Sequence, residues 1–355
     1  METEQEMIRS DFSKTENQAE MLANRLRKRQ RHLKKWARRT GAGMYRLYDR
    51  DIPEIPLVMD WYCPIKDNTS VTSAALTGAL YKRPYEKENE TAWLAAMKEA
   101  AASALDIEPE MIFLKERKQQ KGDLQYKRFD HKEIRRKVYE AGLCFWVNLS
   151  DYLDTGLFPD RRLFRSLLYH ESGSLRILNL FCYTASLSVA AAAGGAAAVD
   201  SVDLSNNYLA WAKENFSLNY LDAGFIKKEE YFNQNNAKPF TLIRDDVLRF
   251  TEEARRCRLR WDIIILDPPA FSNSKKMYKD FDLKRDHPAL ITDCLELLNP
   301  GGKIYLNANV KGFKLNLNPA NQKEKLSAAD ITEQLRDEDF TGKHIPRAWR
   351  ISKTF

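Results

Sequence analysis

The chain has 355 residues, 43% of them hydrophobic, enough for one large core and a smaller second one, and its 57 basic residues exceed 50 acidic ones by a formal charge of +7. The opening METEQEMIRSDFSKTE is too polar and acidic for a secretory signal, and no apolar run approaches the roughly 20 residues that cross a bilayer; a cytoplasmic protein with no membrane attachment is expected. Cysteines at 63, 144, 182, 257 and 294 form no CxxC pair and the five histidines are scattered, which argues against a zinc site or a disulfide framework, so no metal is expected.

Three segments are expected: a basic N-terminal helical segment over 1–40, a small α+β domain over 41–147 and a larger α/β domain over 148–355. From Arg25 to Arg39 there are nine Lys or Arg and no acid, while Leu22, Leu26, Leu33, Trp36 and Ala37 recur at helical spacing. That pattern predicts a basic amphipathic helix, with Arg27, Lys28, Arg31 and Lys34 as candidate phosphate contacts. An anionic membrane or a plain solvated face would suit the same composition. Short β-branched and aromatic runs between Gly41 and Tyr62, split by Pro53 and Pro56, read as strands, and TAWLAAMKEAAASALDI as a helix. FLKERKQQKGDLQYKRF, dense in cations with Tyr126 and Phe129 interleaved, reads as an RNA-facing hairpin or an ordinary polar one.

Beyond Asn148 the strand-like runs ILNLF, VDSVDLS, FTLIRDDV, WDIIILDPP and KIYLNAN alternate with helical stretches. This is a doubly wound, mostly parallel α/β pattern, and the unbroken Ile263-Ile264-Ile265-Leu266 suits a central strand covered on both faces. KKEEYFNQNNAK, residues 227–238, is expected as a surface loop.

Open α/β sheets bind ligands beyond the carboxyl ends of their strands. Those ends carry Asn179-Leu180-Phe181-Cys182-Tyr183-Thr184-Ala185-Ser186, then Asp203, Asp245-Asp246 and Asp267-Pro268-Pro269. A dinucleotide requires glycines on the first turn so that its pyrophosphate can approach backbone amides; here there is none before Gly194. A cofactor with an adenosine and an amino-acid tail but no phosphate tolerates such a turn. Asp203 stands where a carboxylate accepts from a ribose diol, and Asp246 is placed for the adenine edge. S-adenosylmethionine satisfies these requirements. The two prolines stiffen the turn after Asp267, and Phe271 can stack on a flat base there.

LDTGLFPDRR, LNLFCYTAS, VDLS, LDPPAFSNSKKM, FDLKRDHPAL and NANVKGF resemble the C-terminal, K-type module of the bacterial K/L-type 23S rRNA guanine methyltransferases, which installs 7-methylguanosine. The likeness runs from about Met21 nearly to the C-terminus. It implies a class I S-adenosylmethionine fold, a Rossmann-like sheet preceded by a small RNA-recognition domain, with 23S rRNA as partner. It further implies cofactor contacts at Asp160, Arg162, Asn179, Phe181, Tyr183, Thr184, Asp203, Asp246 and Asp267. Glycine is usual in that family where this chain has Ala185, a change tolerated at negative φ and crowding at positive φ. Relatives in some bacteria carry a second, upstream methyltransferase; with that module absent, at most one of the two methylations is expected.

A cytosine-C5 enzyme needs a cysteine nucleophile after the fifth strand, where this chain reads Tyr305-Leu306-Asn307-Ala308-Asn309. Guanine N7 already offers a lone pair and asks for no strong base. Candidates to hold the base are Asp267, Pro268, Pro269 and Phe271 at the corner, with Asn273, Ser274, Lys275, Asn309 and Lys311 around it. His287 is a candidate substrate contact or a structural histidine. Methylation at guanine N2 or cytosine C5, or an RNA-binding protein with a decayed site, are the alternatives.

Overall fold

A computed structural model describes residues 4–66, 71–81, 90–116, 132–233, 238–273, 279–317 and 325–354. Two compact units divide the chain, one of residues 1–121, 125–142 and 147–155, the other of 122–124, 143–146 and 156–355. The basic hairpin expected after Phe113 falls largely on 117–131, outside the described residues, as do Ser274 and Lys275.

The first unit contains α1 (Glu4–Thr40), β1 (Met44–Asp49), β2 (Leu57–Tyr62), β3 (Ile65–Lys66), β4 (Val71–Thr72), β5 (Ala75–Leu80), α2 (Glu90–Leu105), β6 (Ile112–Glu116) and β7 (Arg135–Glu140). Strands pair in the order β1-β2-β5-β6. Leu22, Leu26, Leu33, Trp36 and Ala37 are buried in one core with Tyr45, Trp61, Trp93 and Met97. The stretch from Leu22 to Ala37, within the 1–40 segment read from the sequence as one apart, thus shares a core with the strands that follow, because an apolar stripe this wide gains more by burial than by exposure. Polar anchors fix the register: Trp93 Nε1 donates to Gln18 Oε1 (2.6 Å) and the Tyr45 hydroxyl to Gln30 Oε1 (2.7 Å). On the opposite side Arg27, Arg31, Lys34 and Arg38 recur at i, i+4, i+7 and i+11, all exposed, with Lys28 beside them.

β8 (Leu143–Asn148) leads to the second unit, which adds α3 (Arg162–Glu171), β9 (Arg176–Leu180), α4 (Ser186–Ala193), β10 (Ala198–Asp203), α5 (Asn206–Leu218), β11 (Ala223–Ile226), α6 (Lys228–Phe232), β12 (Phe240–Arg244), α7 (Val247–Arg256), β13 (Trp261–Leu266), β14 (Phe271–Ser272), β15 (Phe281–Asp282), α8 (Leu283–Glu296), β16 (Leu298–Ala308), β17 (Lys325–Asp330) and β18 (Arg347–Thr354). Its eight strands run β11-β12-β10-β9-β13-β16-β18-β17. The first six are mutually parallel, while β18 is antiparallel to both its neighbours. From β9 the chain winds outward through β10 and then, in the other direction, through β13, so the strand order reverses beside β9, where a crevice for ligands opens.

Ile263 to Leu266 are wholly buried, as a strand covered on both faces must be. Leu178, Leu180, Ile264 and Leu266 join Phe250 of α7 and Ile291 of α8 on one face; Asn179 meets Ser188 of α4 on the other. The stretch expected as a loop over 227–238 includes α6, because Tyr231 is drawn into the core against Phe250 (5.7 Å between rings).

Candidate active site

The first turn after β9 is built without glycine but in glycine's conformation. Phe181, Tyr183 and Ala185 have φ of 60°, 53° and 58°, so a side chain carries left-handed backbone at every second position, at a cost of about 1–2 kcal/mol each. The turn is held by its own amides: Cys182 N donates to Val202 O (3.0 Å), Tyr183 N to Asp203 Oδ2 (2.9 Å) and Ala185 N to Cys182 O (2.8 Å). With these three N–H groups spent, a pyrophosphate has no cradle here. The positive φ at Ala185 is the case in which its methyl group is strained. Ala185→Gly is therefore expected to raise stability by roughly 0.5–1 kcal/mol, the relief of strain exceeding the added freedom of the unfolded chain; denaturant midpoints of the two proteins measure it.

Asp203, at the end of β10, braces that turn. Its oxygens accept from Tyr183 N and Ser205 N (2.9 Å each), and burial pushes its carboxyl up to about 6 despite the N–H groups that favour the charged form. Tyr183 lies between Phe158 (5.4 Å) and Tyr208 (4.4 Å), and Phe181 packs on Phe281 (5.4 Å). The result is an aromatic ledge beside a carboxylate. A ribose and a flat ring can be held there, which fits a nucleoside cofactor with no phosphate.

The Asp267 corner is clamped from α3. A turn at Pro159–Arg161 precedes that helix, and from it Arg161 donates through Nε to Asp267 Oδ2 (2.7 Å) and through Nη2 to Oδ1 (2.6 Å). Arg161 also pairs with Asp160 Oδ2 (3.2 Å), whose Oδ1 is enclosed without a hydrogen bond. Arg161 is only 9% exposed and Asp267 19%. Pro268 is buried, the Ala270 carbonyl accepts from Leu283 N (3.1 Å), and β14 pairs with β15, setting Phe271 opposite Asp282. Phe271 is left 44% exposed. Asn273, Asn309 and Lys311 are exposed nearby in sequence to these strand ends.

Other residues singled out by sequence also make contacts within the chain. Arg162, expected as a cofactor contact, turns to Asp337 (2.7 Å) and Asp339 (3.1 Å); Arg161, which the sequence did not single out, is the residue at the Asp267 corner. The Asn179 amide, 1% exposed, donates to the Ser188 hydroxyl (2.8 Å). Thr184 is buried, bonded to the Gly156 carbonyl (2.6 Å). Asp246 caps α7, its Oδ1 accepting from Leu248 N (3.0 Å) and Arg249 N (3.2 Å). His287 is structural: Nδ1 meets Leu283 O (2.8 Å), Nε2 accepts from Asn316 N (2.9 Å), and burial lowers its pKa. Its ring also packs on Phe313 (4.7 Å), so it anchors the irregular segment that follows Lys311. Arg27, Lys28, Arg31 and Lys34 belong to the other unit. Among the described residues, no group of three or more His, Cys, Asp or Glu could hold a metal, and no helix is long and apolar enough to cross a membrane.

A family model of S-adenosylmethionine-dependent methyltransferases matches residues 71–319. The chain belongs to that family. The methyltransferase is 42% identical to the ribosomal RNA large subunit methyltransferase K of Neisseria meningitidis serogroup B, over 93% of this chain and 86% of that one. It is 39% identical to the K/L enzyme of Hahella chejuensis over 94% of this chain, but spans only 43% of that longer protein. Among solved structures it is similar to SMU.776 complexed with SAH, with a TM-score of 0.69 and 23% identity over 95% of this chain and 82% of that one. That likeness shows the fold: an α/β methyltransferase with a mostly parallel, Rossmann-like sheet.

Proposed function

We propose that this methyltransferase modifies large-subunit ribosomal RNA and that its target atom is N7 of a guanine. The observation that carries the choice of atom is chemical poverty at the corner. Among the described residues, no thiol or free imidazole stands beside Asp267-Pro268-Pro269-Ala270-Phe271. Cys182 is buried, its thiol pushed up by burial and by neighbouring Asp203. Cys294 is buried in α8, and both nitrogens of His287 are occupied. Both oxygens of Asp267 are engaged by Arg161, which leaves it poorly suited to take a proton from an exocyclic amine. An atom that already carries a lone pair suits this setting, and guanine N7 is such an atom. The RNA partner rests on the names of the relatives and on the basic ridge of α1.

S-adenosylmethionine, when bound, supplies a methyl group on a cationic sulfur. Asp203 would accept from its ribose hydroxyls, the Tyr183 ledge would flank its base, and the unpaired Oδ1 of Asp160 is suited to its ammonium group. Phe271 offers the target purine a stacking face, and the prolines keep that face from moving. With a radiolabelled donor and large-subunit rRNA, the purified protein is expected to yield 7-methylguanosine on nucleoside chromatography; label in 5-methylcytidine or N2-methylguanosine would refute the assignment.

The α1 ridge is read as a phosphate contact. Changing Arg27, Lys28, Arg31 and Lys34 together to alanine is expected to weaken RNA binding and to reduce the slope of log affinity against log salt by about 3, if each cation displaces one counterion. An unchanged slope returns the ridge to a plain solvated face.

A further inference from the structure

The amide Nδ2 of Asn307 is enclosed, and the side chain makes no hydrogen bond among the described residues although Asn307 is only 2% exposed. An unpaired buried donor is costly, and native proteins keep few of them outside places where a ligand completes them.

Register explains its isolation. β13 and β16 are parallel neighbours with Ile265 opposite Tyr305 and Leu266 opposite Leu306, so Asp267 and Asn307 come next, side by side on chains about 4.8 Å apart. Side chains alternate along a strand. Tyr305 packs on Phe164 of α3 (5.6 Å), and Asp267 receives Arg161 from the turn leading into α3. Asn307 therefore lies on the α3 face beside Asp267. Its neighbour on the other side is Ala348 of β18, a methyl group that accepts nothing, and Asp267 is turned to Arg161. A donor is left at the carboxyl edge with no acceptor from the chain.

We propose that Asn307 reads the O6 oxygen of the target guanine and so selects guanine over adenine; this rests on the guanine-N7 reading above. O6 and N7 are adjacent acceptors on one edge of guanine, whereas adenine carries an amino group in place of O6. With O6 on Asn307 of β16, N7 falls toward Asp267 of β13 and the turn after β9. The order β9-β13-β16 in the sheet thus matches the order methyl donor, N7, O6. In the transfer the N7 lone pair forms the new bond to the methyl carbon, the carbon–sulfur bond breaks with its electrons left on sulfur, and the positive charge passes to the purine. No proton leaves. Asp267 faces the charge as it arrives, and Asn307 keeps an amino-bearing purine from the same seat by setting donor against donor.

The test uses the full-length protein and a synthetic RNA containing the modified guanine, with inosine or 2,6-diaminopurine at that position. Inosine keeps O6 and N7 and is expected to be methylated within a few-fold of guanine; diaminopurine lacks O6 and is expected to react at least about tenfold more slowly. Asn307→Ala should lower kcat/KM on guanine about tenfold, erase most of that discrimination, and leave the dissociation constant of S-adenosylmethionine within twofold. Equal rates on guanine and diaminopurine in the wild type overturn the proposal without depending on any variant's folding. So does an Asn307→Ala loss explained by weaker donor binding. If the wild type makes no 7-methylguanosine on guanine, the underlying reading has failed and this inference falls with it.

Discussion

Asp203→Asn is expected to weaken S-adenosylmethionine binding about a hundredfold while leaving a folded protein. The carboxylate is already the acceptor for Tyr183 N and Ser205 N, and a ribose diol would add two charge-assisted bonds, each contributing about 1.5–3 kcal/mol. An amide keeps one acceptor oxygen but turns a donor toward the other partner. Folding should suffer little, because the lost acceptor is offset by removing a charge that burial disfavours. The wild-type pH dependence follows from the same group, whose carboxyl is raised to about 6. Donor binding needs the ionised form, so affinity falls up to tenfold per unit below about pH 6 and is level above about pH 7. Stability of the donor-free protein moves the opposite way: the neutral carboxyl is favoured in the fold, so stability is full below the ordinary carboxylate pKa and declines as pH rises through about 6. Titration calorimetry at pH 5, 6 and 7.5 reads the first effect and thermal melts the second. Pocket affinity independent of pH over that range would mean that Asp203 does not touch the donor.

Arg161→Met is expected to lower kcat/KM about a hundredfold with donor affinity nearly unchanged. Arg161 holds both oxygens of Asp267, fixing the direction of that carboxylate and of the two prolines after it. Misplacing a positioning group of this kind costs about two orders of magnitude. A stability loss of about 2 kcal/mol should accompany it, below the range for a fully buried pair because Asp267 retains some solvent contact. A purely structural role would stop there. The clamp predicts more: the loss lies in kcat, while the dissociation constant of S-adenosylmethionine stays within twofold. Arg161→Lys, able to contact one oxygen, should recover part of the rate. A variant with wild-type kcat/KM would remove Arg161 from the mechanism.

Why the clamp was illegible in the sequence is instructive. In Pro159-Asp160-Arg161-Arg162 the arginines are chemically equal and one residue apart, yet about 100° of helical rotation separates them. One reaches Asp267, the other Asp337, 175 positions downstream. Only the packing of α3 against the sheet decides between them. Asn307 was hidden for a related reason: nothing in Tyr305-Leu306-Asn307 says that its strand neighbours will be a clamped acid and an alanine. Asp246 could have been read further, since an aspartate just before Val247-Leu248-Arg249-Phe250 is a helix-capping signal. What was legible depended on strong local patterns. The Ile263–Leu266 run, the acids that close β10, β12 and β13, and the apolar stripe of α1 all stand out as local patterns. β17 and β18 went unread, because β18 meets β16 only across about forty residues of intervening chain and β17 joins the sheet only through β18.

The central claim is that the glycine-free turn after β9 and Asp203 seat the methyl donor beside the proline-stiffened corner. A crystal structure of the protein with S-adenosylhomocysteine tests this most directly. The ribose hydroxyls are expected within hydrogen-bond distance of the Asp203 carboxylate, with the sulfur facing the space between the turn at 181–185 and Phe271. A nucleoside bound away from Asp203, or a sulfur with the Asp267-Pro268-Pro269 turn out of reach, would contradict it.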